Sequence, residues 1–140
     1  MKSVLTIAGS DPTGGAGLQA DLKVFRAFEV YGLSIPAALT AQNTSGVEAV
    51  VPVEKSFIAK QLDVLLRDIR PDALKAGMLF SVWAVHVVAE KIRGFALSNL
   101  VVDPVTVSST GTSLVDEGTL DVIREMLFPL SRVRFNRLRR

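Results

Sequence analysis

A glycine-rich segment near the amino terminus is the first feature of this sequence that could support chemistry. Residues 9–17 read GSDPTGGAG and lie between a predicted strand and a predicted helix. At such a junction, backbone N–H groups and the positive end of the helix dipole favour an anion or a polar ligand group. The segment is therefore a candidate binding loop. The plainer interpretation is that its glycines only supply positive φ angles in a turn.

Two known glycine motifs fit this segment poorly. A P-loop requires Lys and then Ser or Thr directly after its second glycine, whereas Gly14 is followed by Gly15 and Ala16. Residues 15–20 match the dinucleotide fingerprint G-x-G-x-x-A. These glycines, however, lie many residues beyond the strand, and the second predicted strand ends without an acid to bind a ribose hydroxyl. The sequence excludes Walker-type phosphate binding and disfavours a dinucleotide.

Three polar side chains outside the glycine segment are further candidates. The amide of Gln42, in a polar segment after the second predicted strand, both donates and accepts hydrogen bonds, so it could recognise a ligand edge that presents both kinds of group. Asp21 lies in the first turns of the predicted helix, with its carboxylate toward the loop. Asp103 ends a strand at the sheet edge where open α/β folds bind ligands. The plainer interpretations are that Gln42 caps its own loop, that Asp21 interacts with the helix dipole, and that Asp103 is an ordinary turn residue.

Composition restricts the class of protein. The chain has 140 residues, 49% of them hydrophobic, which is enough for one domain with a substantial core. It has no Cys, so a disulfide framework, a thiolate metal site and a cysteine nucleophile are excluded, and a cytoplasmic location is expected. An apolar run of about 18 residues, as a membrane span needs, does not occur. His86 lies in a Val-rich helical stretch and is interpreted as an ordinary histidine.

The order of strand and helix patterns predicts the fold class. Short apolar runs alternate with segments whose apolar residues recur at three- and four-residue spacing. The strands are predicted at residues 3–8, 34–41, 47–53, 73–76 and 99–102, and the helices at residues 18–31, 57–69, 82–92 and 118–127. This alternation predicts an α/β layered domain with a mainly parallel sheet and right-handed crossovers.

Four motifs together resemble a known enzyme family. They are residues 8–23 (AGSDPTGGAGLQADLK), 40–44 (TAQNT), 75–79 (KAGML) and 101–105 (VVDPV), in this order. The chain resembles the amino-terminal half of hydroxymethylpyrimidine or phosphomethylpyrimidine kinases, which belong to the ribokinase-like superfamily. The resemblance implies a ribokinase-like three-layer fold that is incomplete at its carboxyl end. It covers residues 3–131, and the predicted kinase domain part is residues 1–131.

The resemblance also implies roles for individual residues. Gln42 would read the pyrimidine edge, and Asp103 would lie near the phosphates and Mg²⁺. The remaining substrate-binding residues implied are Gly9, Asp21, Met78 and Val105. The implied reaction is ATP-dependent phosphorylation of 4-amino-5-hydroxymethyl-2-methylpyrimidine or its monophosphate in thiamine biosynthesis, with ATP and Mg²⁺ as cofactors of the complete enzyme.

The family resemblance leaves this chain without a catalytic residue. The base is expected in a second glycine-rich loop of the carboxyl-terminal half, so the chain alone is predicted to have little or no kinase activity. Two alternatives stay open, a non-catalytic pyrimidine-binding module and a fragment of a pyridoxine-type vitamin kinase. The expected partner is a small pyrimidine, without nucleic acid or membrane, and the complete family member is expected to be a homo-oligomer.

The basic character of the chain comes from its last nine residues. The formal net charge is +2, but residues 132–140 contain five Arg and no acid, so residues 1–131 are net acidic. In this tail Arg alternates with apolar residues, whereas a buried parallel strand is a continuous apolar run. The tail is therefore predicted to be either an edge segment or the mark of a truncation or frame shift.

Overall fold

The computed structural model describes residues 1–135, and a central six-stranded sheet organises them. The strand order is β3-β2-β1-β4-β5-β6, and all neighbouring pairs are parallel except β2 with β3. The strands are β1 (Ser3–Ser10), β2 (Tyr31–Asn43), β3 (Gly46–Pro52), β4 (Ala73–Ala76), β5 (Leu100–Val102) and β6 (Ser131–Arg134). The helices are α1 (Gly17–Ala27), α2 (Lys55–Asp68), α3 (Val82–Gly94) and α4 (Thr119–Met126), followed by a 3₁₀ turn at Phe128–Leu130. The predicted α/β class with a mainly parallel sheet is confirmed.

The two faces of the sheet are covered differently. Leu5, Ile7, Leu74 and Leu100 point to one face and are almost fully buried against α2, α3 and α4. Helix α1 lies on the opposite face, where it packs on β1 and β2. Burial of large aliphatic side chains of this kind contributes roughly 1.5–3 kcal/mol each. The core that holds the sheet in place therefore lies mainly on the α2–α4 side.

Helix α1 ends earlier than predicted. The predicted range of residues 18–31 makes Gly32 the residue that ends the helix, but the helix stops at Ala27, and Glu29 has a left-handed φ of 57° that turns the chain into β2. Gly32 belongs to β2, where an added Cβ would lie 2.8 Å from Leu22 Cδ2 of α1. Gly32 thus allows α1 to approach the strand closely, and the prediction of its role was wrong.

Gln42 lies in a strand, whereas the sequence predicted a polar loop at residues 42–46. Strand β2 continues through Gln42 to Asn43, which pairs with Gly46 across a tight hairpin. The turn is closed by the Asn43 side chain, whose Oδ1 accepts a hydrogen bond from the Ser45 N–H at 2.8 Å. Strand pairing outweighs the polar composition here because β3 supplies hydrogen-bond partners that the sequence alone does not reveal.

The alternating segment at the end of the described chain forms the edge strand β6. The Arg134 guanidinium lies 5.2 Å from the centroid of the Phe128 ring, and Arg132 donates to Asn99 Oδ1. These contacts agree with the edge-segment interpretation for residues 131–134. The predicted division at residue 131 stays a prediction, and residues 136–140 of the predicted 132–140 tail lie outside the described residues.

Candidate functional site

Most of the predicted site residues lie at one edge of the sheet. Gly9 and Gln42 are near the carboxyl ends of β1 and β2, while Met78 follows β4, and Asp103 and Val105 follow β5. Strands β1, β2, β4 and β5 run parallel, so their carboxyl ends meet at a common edge. This is the edge at which open α/β sheets bind ligands.

An apolar cluster brings Gly9, Met78 and Val105 together. Met78 is buried with Ala38 and Leu114, and Val105 packs against this group. Gly9 contacts the Met78 thioether so closely that an added Cβ would lie 3.0 Å from Met78 Sδ. Gly9 and Met78 are both buried, so the absence of a side chain at Gly9 lets the Met78 thioether pack directly on the end of β1.

Gln42 borders this cluster, and the hydroxyl of Thr40 lies within hydrogen-bond distance of its amide oxygen. The Gln42 strand partner is Val47, which packs against the cluster. The Thr40 hydroxyl lies 3.0 Å from Gln42 Oε1 and 2.8 Å from the Ser10 carbonyl oxygen. The single proton of that hydroxyl serves one of these acceptors at a time. Thr40 therefore lies between the Gln42 amide and the end of β1.

The glycine segment binds an anion that belongs to the chain itself. The buried Asp11 carboxylate accepts hydrogen bonds from the backbone N–H groups of Thr13, Gly15 and Ala16, at 2.8–3.1 Å, and from the Thr13 hydroxyl. Burial by itself raises the pKa of Asp11, but the hydrogen bonds from Thr13, Ala16 and Gly15 outweigh it and hold the pKa below its usual 3.8. These three N–H groups are thus engaged internally, not by the external anion that the sequence suggested.

Helix α1 holds the loop from its other side. Gln19 accepts from the Asp11 N–H and donates to Ser10 Oγ, both at 2.8 Å, and Lys23 Nζ donates to the Gly14 carbonyl oxygen. Gly17 has a φ of 59°, and an added Cβ would overlap the Gly9 carbonyl oxygen. The loop is therefore fixed between the end of β1 and the start of α1.

Asp21 lies apart from the apolar cluster in an ion pair. Its two carboxylate oxygens are 2.7 and 2.8 Å from Lys75 Nζ of β4, and Thr6 Oγ1 of β1 donates to Asp21 Oδ2 at 2.6 Å. The side chains of Asp21 and Lys75 are only 14% and 23% exposed. Lys75 was part of a recognised motif, but its partner is 54 residues away, and no local pattern reveals such a pair.

Asp103 and His86 occupy different surroundings. The Asp103 N–H donates to the Ala76 carbonyl oxygen at 2.9 Å, which fixes the start of the 103–118 segment beside the end of β4. Asp103 therefore stands at the predicted sheet edge. His86 is exposed on α3, in agreement with its interpretation as an ordinary histidine.

Two features of the described residues bear on phosphate and metal binding. Within residues 1–135, no group of three or more His, Cys, Asp or Glu side chains is arranged to hold a metal ion. Three N–H groups of the glycine segment, those of Thr13, Gly15 and Ala16, donate to the Asp11 carboxylate. Helices long and apolar enough to cross a membrane are also lacking in this part of the chain.

Comparison with known proteins identifies relatives along most of the chain. The sequence profile of the phosphomethylpyrimidine kinase family matches residues 11–134. The chain is 48% identical over 129 residues to the thiamine biosynthesis bifunctional protein ThiED of Geobacter sulfurreducens, covering 92% of this chain and 26% of that protein. It is 43% identical to the hydroxymethylpyrimidine/phosphomethylpyrimidine kinase of Bacillus subtilis, covering 91% of this chain and 47% of that kinase. The chain thus spans about a quarter to half the length of these relatives.

Solved structures of kinases also superpose on most of this chain. A crystal structure of phosphomethylpyrimidine kinase from Clostridium difficile superposes with a TM-score of 0.89 and 42% identity, covering 96% of this chain and 58% of that one. An ADP complex of Bacillus subtilis pyridoxal kinase superposes with a TM-score of 0.81 and 36% identity, covering 96% of this chain and 49% of that one. The profile match, with the agreement in sequence and fold, shows that this chain belongs to the phosphomethylpyrimidine kinase family.

Proposed function

We propose that this chain supplies the pyrimidine-binding part of a kinase that phosphorylates 4-amino-5-hydroxymethyl-2-methylpyrimidine or its monophosphate in thiamine biosynthesis. The observation that carries the proposal is the apolar cluster of Gly9, Met78 and Val105 at the carboxyl edge of the sheet, bordered by the Gln42 amide. The kinase names of the relatives supply the reaction class.

The chemistry of the two parts of this site suits an aminopyrimidine. A flat ring packs well against a thioether, so Met78 would contact the ring face. The amide of Gln42 donates and accepts, so it would pair with an exocyclic amino group and a ring nitrogen. Asp21, held by Lys75 and Thr6, and Asp103, near the ends of β4 and β5, complete the proposed set.

Phosphoryl transfer needs more than binding of the acceptor. It requires a positioned base and hydrogen-bond donors or metal ions around the moving phosphoryl group. ATP and Mg²⁺ are the expected cofactors, but the residues described do not fit them without further partners. We assign the base and most of the nucleotide site to the part of the relatives that extends beyond the region matched by this chain.

The predictions about binding partners and cellular location rest on the sequence and its family resemblance. A homo-oligomer, a cytoplasmic location and the absence of nucleic-acid or membrane partners stay predictions. A fragment of a pyridoxine-type vitamin kinase also remains as an alternative, because pyridoxal kinases share this fold.

Isothermal titration calorimetry tests the proposed binding. We expect the 140-residue chain to bind 4-amino-5-hydroxymethyl-2-methylpyrimidine, and Gln42→Ala to weaken binding about tenfold because one or two hydrogen bonds worth roughly 1 kcal/mol each are lost. Thr44→Ala, in the adjacent hairpin turn, is the matched control and should leave the Kd unchanged.

The same titration separates the alternatives. Tighter binding of pyridoxine than of the pyrimidine would favour the vitamin kinase. A folded chain, as judged by circular dichroism, that binds neither compound would contradict the proposal.

A further inference from the structure

Thr40 and Gln42 lie on the same face of β2 at the candidate site. Residues two positions apart in a strand point to one side of the sheet, and the distance of 3.0 Å between Thr40 Oγ1 and Gln42 Oε1 shows that these two side chains meet. The extra residue in the pairing of β2 with β3 is Glu48 of β3, so the spacing within β2 is undisturbed. The Gln42 amide therefore has a polar neighbour within its own strand.

The end of β1 contacts the Thr40 hydroxyl from the other side. The hydroxyl oxygen is 2.8 Å from the Ser10 carbonyl oxygen, which can only accept a hydrogen bond. Gln42 Oε1 is also only an acceptor, and the hydroxyl has a single proton for the two of them. The position of that proton therefore determines which group of the Gln42 amide is stable beside Thr40.

Each position of the proton favours one orientation of the amide. When Thr40 donates to Gln42, Oε1 stays beside the hydroxyl and Nε2 is directed away from it, which is the orientation in the structure. When Thr40 donates to Ser10, lone pairs of Thr40 Oγ1 face Oε1, and the amide gains a hydrogen bond by turning Nε2 toward the hydroxyl. The hydroxyl thus makes the two orientations unequal in energy, whereas an apolar side chain at position 40 would not.

The side of the amide that faces away from Thr40 is the side that a ligand would meet. Gln42 is half-buried, and its strand partner Val47 packs against the apolar cluster of Met78. An amide with a fixed orientation presents its donor and its acceptor in one order along this side. A ligand edge that carries its own groups in the opposite order would bring donor to donor and acceptor to acceptor.

We propose that Thr40 is a positioning residue that fixes the orientation of the Gln42 amide and thereby makes the site select a 4-aminopyrimidine over the corresponding 4-oxopyrimidine. The 4-amino ring offers a donor at its exocyclic nitrogen and an acceptor at the adjacent ring nitrogen. The 4-oxo ring offers an acceptor at its exocyclic oxygen and a donor at that ring nitrogen. This inference rests on the proposed pyrimidine binding and deepens it, because it assigns the residue that sets the selectivity.

Calorimetric titration of the 140-residue chain with the two pyrimidines tests the selectivity. The ligands are 4-amino-5-hydroxymethyl-2-methylpyrimidine and its 4-oxo analogue. We expect the wild-type chain to bind the amino compound at least about tenfold more tightly, because the oxo compound leaves polar groups unpaired. Thr40→Val keeps the shape of the side chain but removes the hydroxyl, so the amide can turn to suit either ring, and the preference should fall to about threefold or less.

Two further variants separate the hydroxyl from the rest of the side chain. Thr40→Ser retains the hydroxyl and should keep the wild-type preference for the amino compound. Thr44→Val makes the same chemical change at an exposed position of the adjacent hairpin turn and should leave the preference unchanged. An equal loss of affinity for both pyrimidines in Thr40→Val, with their ratio preserved, would show that Thr40 has only a structural role.

Nitrogen-15 relaxation of the side-chain amides tests the fixed orientation without any ligand. Gln19 is the internal reference, because its amide accepts from the Asp11 N–H and donates to Ser10 Oγ, both at 2.8 Å. We expect the order parameter of Gln42 Nε2 to be close to that of Gln19 in the wild-type chain and to fall below about 0.6 in Thr40→Val. Thr40→Ser should restore it, and the value for Gln19 should be the same in all three proteins.

Three results would overturn the proposal. They are equal affinity of the wild-type chain for the two pyrimidines, an unchanged preference in Thr40→Val, and a Gln42 amide that is as rigid in Thr40→Val as in the wild-type chain. Binding of neither pyrimidine by the folded wild-type chain would contradict the proposed function instead. In that case the relaxation measurement by itself decides whether Thr40 fixes the amide.

Discussion

At the scale of single residues, Asp11 decides the shape of the candidate binding loop. Three backbone N–H groups and the Thr13 hydroxyl converge on its carboxylate. The loop is therefore organised around an internal negative charge, and its glycines serve to bring the N–H groups within reach. Gly17 is the loop position with the least room for a side chain, because an added Cβ there would overlap the Gly9 carbonyl oxygen.

Asp11→Asn should lower stability in a pH-dependent manner. The folded-state pKa of Asp11 lies below its unfolded value, so the carboxylate stabilises the fold above about pH 4, and this contribution is lost as the pH falls through the folded pKa. Urea unfolding should show the variant less stable by about 1–3 kcal/mol at pH 7, with a difference that shrinks toward pH 3.

Asp72 does not affect the difference in stability between the wild-type chain and the Asp11→Asn variant. The pKa of Asp72 is also lowered, by hydrogen bonds from Lys2 and Ser3, but this contribution is the same in the wild-type chain and in the variant. A difference in the free energy of unfolding that stays constant from pH 7 to pH 3 would show that the Asp11 charge does not organise the loop.

Gly17→Ala should destabilise the protein by about 2 kcal/mol or more, because an alanine there has an unfavourable φ of 59° and its Cβ overlaps the Gly9 carbonyl oxygen. Gly94→Ala is the control, since it lies at the end of α3 with nothing within 4 Å of an added Cβ. The control should be neutral or slightly stabilising. Equal melting temperatures of the two variants would contradict the loop geometry.

At the scale of elements, the Asp21–Lys75 pair joins α1 to β4, and Thr6 adds β1. The pair lies on the face where α1 contacts the sheet. Ion pairs that are mostly removed from water are costly to break, because the remaining charge loses its partner but keeps its desolvation penalty.

Lys75→Met should therefore destabilise the fold by about 1–3 kcal/mol, an estimate reduced from that of a fully buried pair because both side chains retain some exposure. A double-mutant cycle with Asp21→Asn, followed by urea unfolding, should give a coupling of about 1 kcal/mol or more. The exposed Arg124–Asp121 pair is the control, with an expected coupling below about 0.5 kcal/mol. Similar couplings for both pairs would show that Lys75 and Asp21 act as an ordinary surface pair.

At the scale of the whole molecule, the described residues place the candidate site at the carboxyl edge of the sheet. They bring together an apolar cluster and a polar amide at the sheet edge, but their glycine loop is bound to Asp11. The Geobacter sulfurreducens and Bacillus subtilis relatives are about two to four times as long as the matched region.

The 140-residue chain alone should not transfer phosphate. In a coupled assay with MgATP and the hydroxymethylpyrimidine, we expect ADP formation no faster than without the pyrimidine, because the family resemblance places the base in the part of the relatives that this chain does not match. Pyrimidine-dependent ADP release by the purified chain would contradict this. The control is the Bacillus subtilis kinase, assayed under the same conditions.

The sequence by itself determined the order of the elements and the family. Hydrophobic periodicity is local, so strands and helices followed from short windows, and the motifs around Gly9, Gln42, Met78 and Asp103 pointed to one family. The parallel arrangement also followed from this alternation, and it placed the carboxyl ends of the strands at one edge. That reasoning was sufficient to locate the candidate site.

The tertiary structure decided how these residues are used. It placed Gln42 in a strand instead of a loop, filled the glycine segment with the Asp11 carboxylate, and paired Asp21 with Lys75. It also showed that the Arg-rich alternation continues the sheet as an edge strand. Each of these depends on contacts between elements distant in sequence or on the path of a loop. Local propensity does not encode such contacts, because they are fixed only when the sheet and its helices have packed.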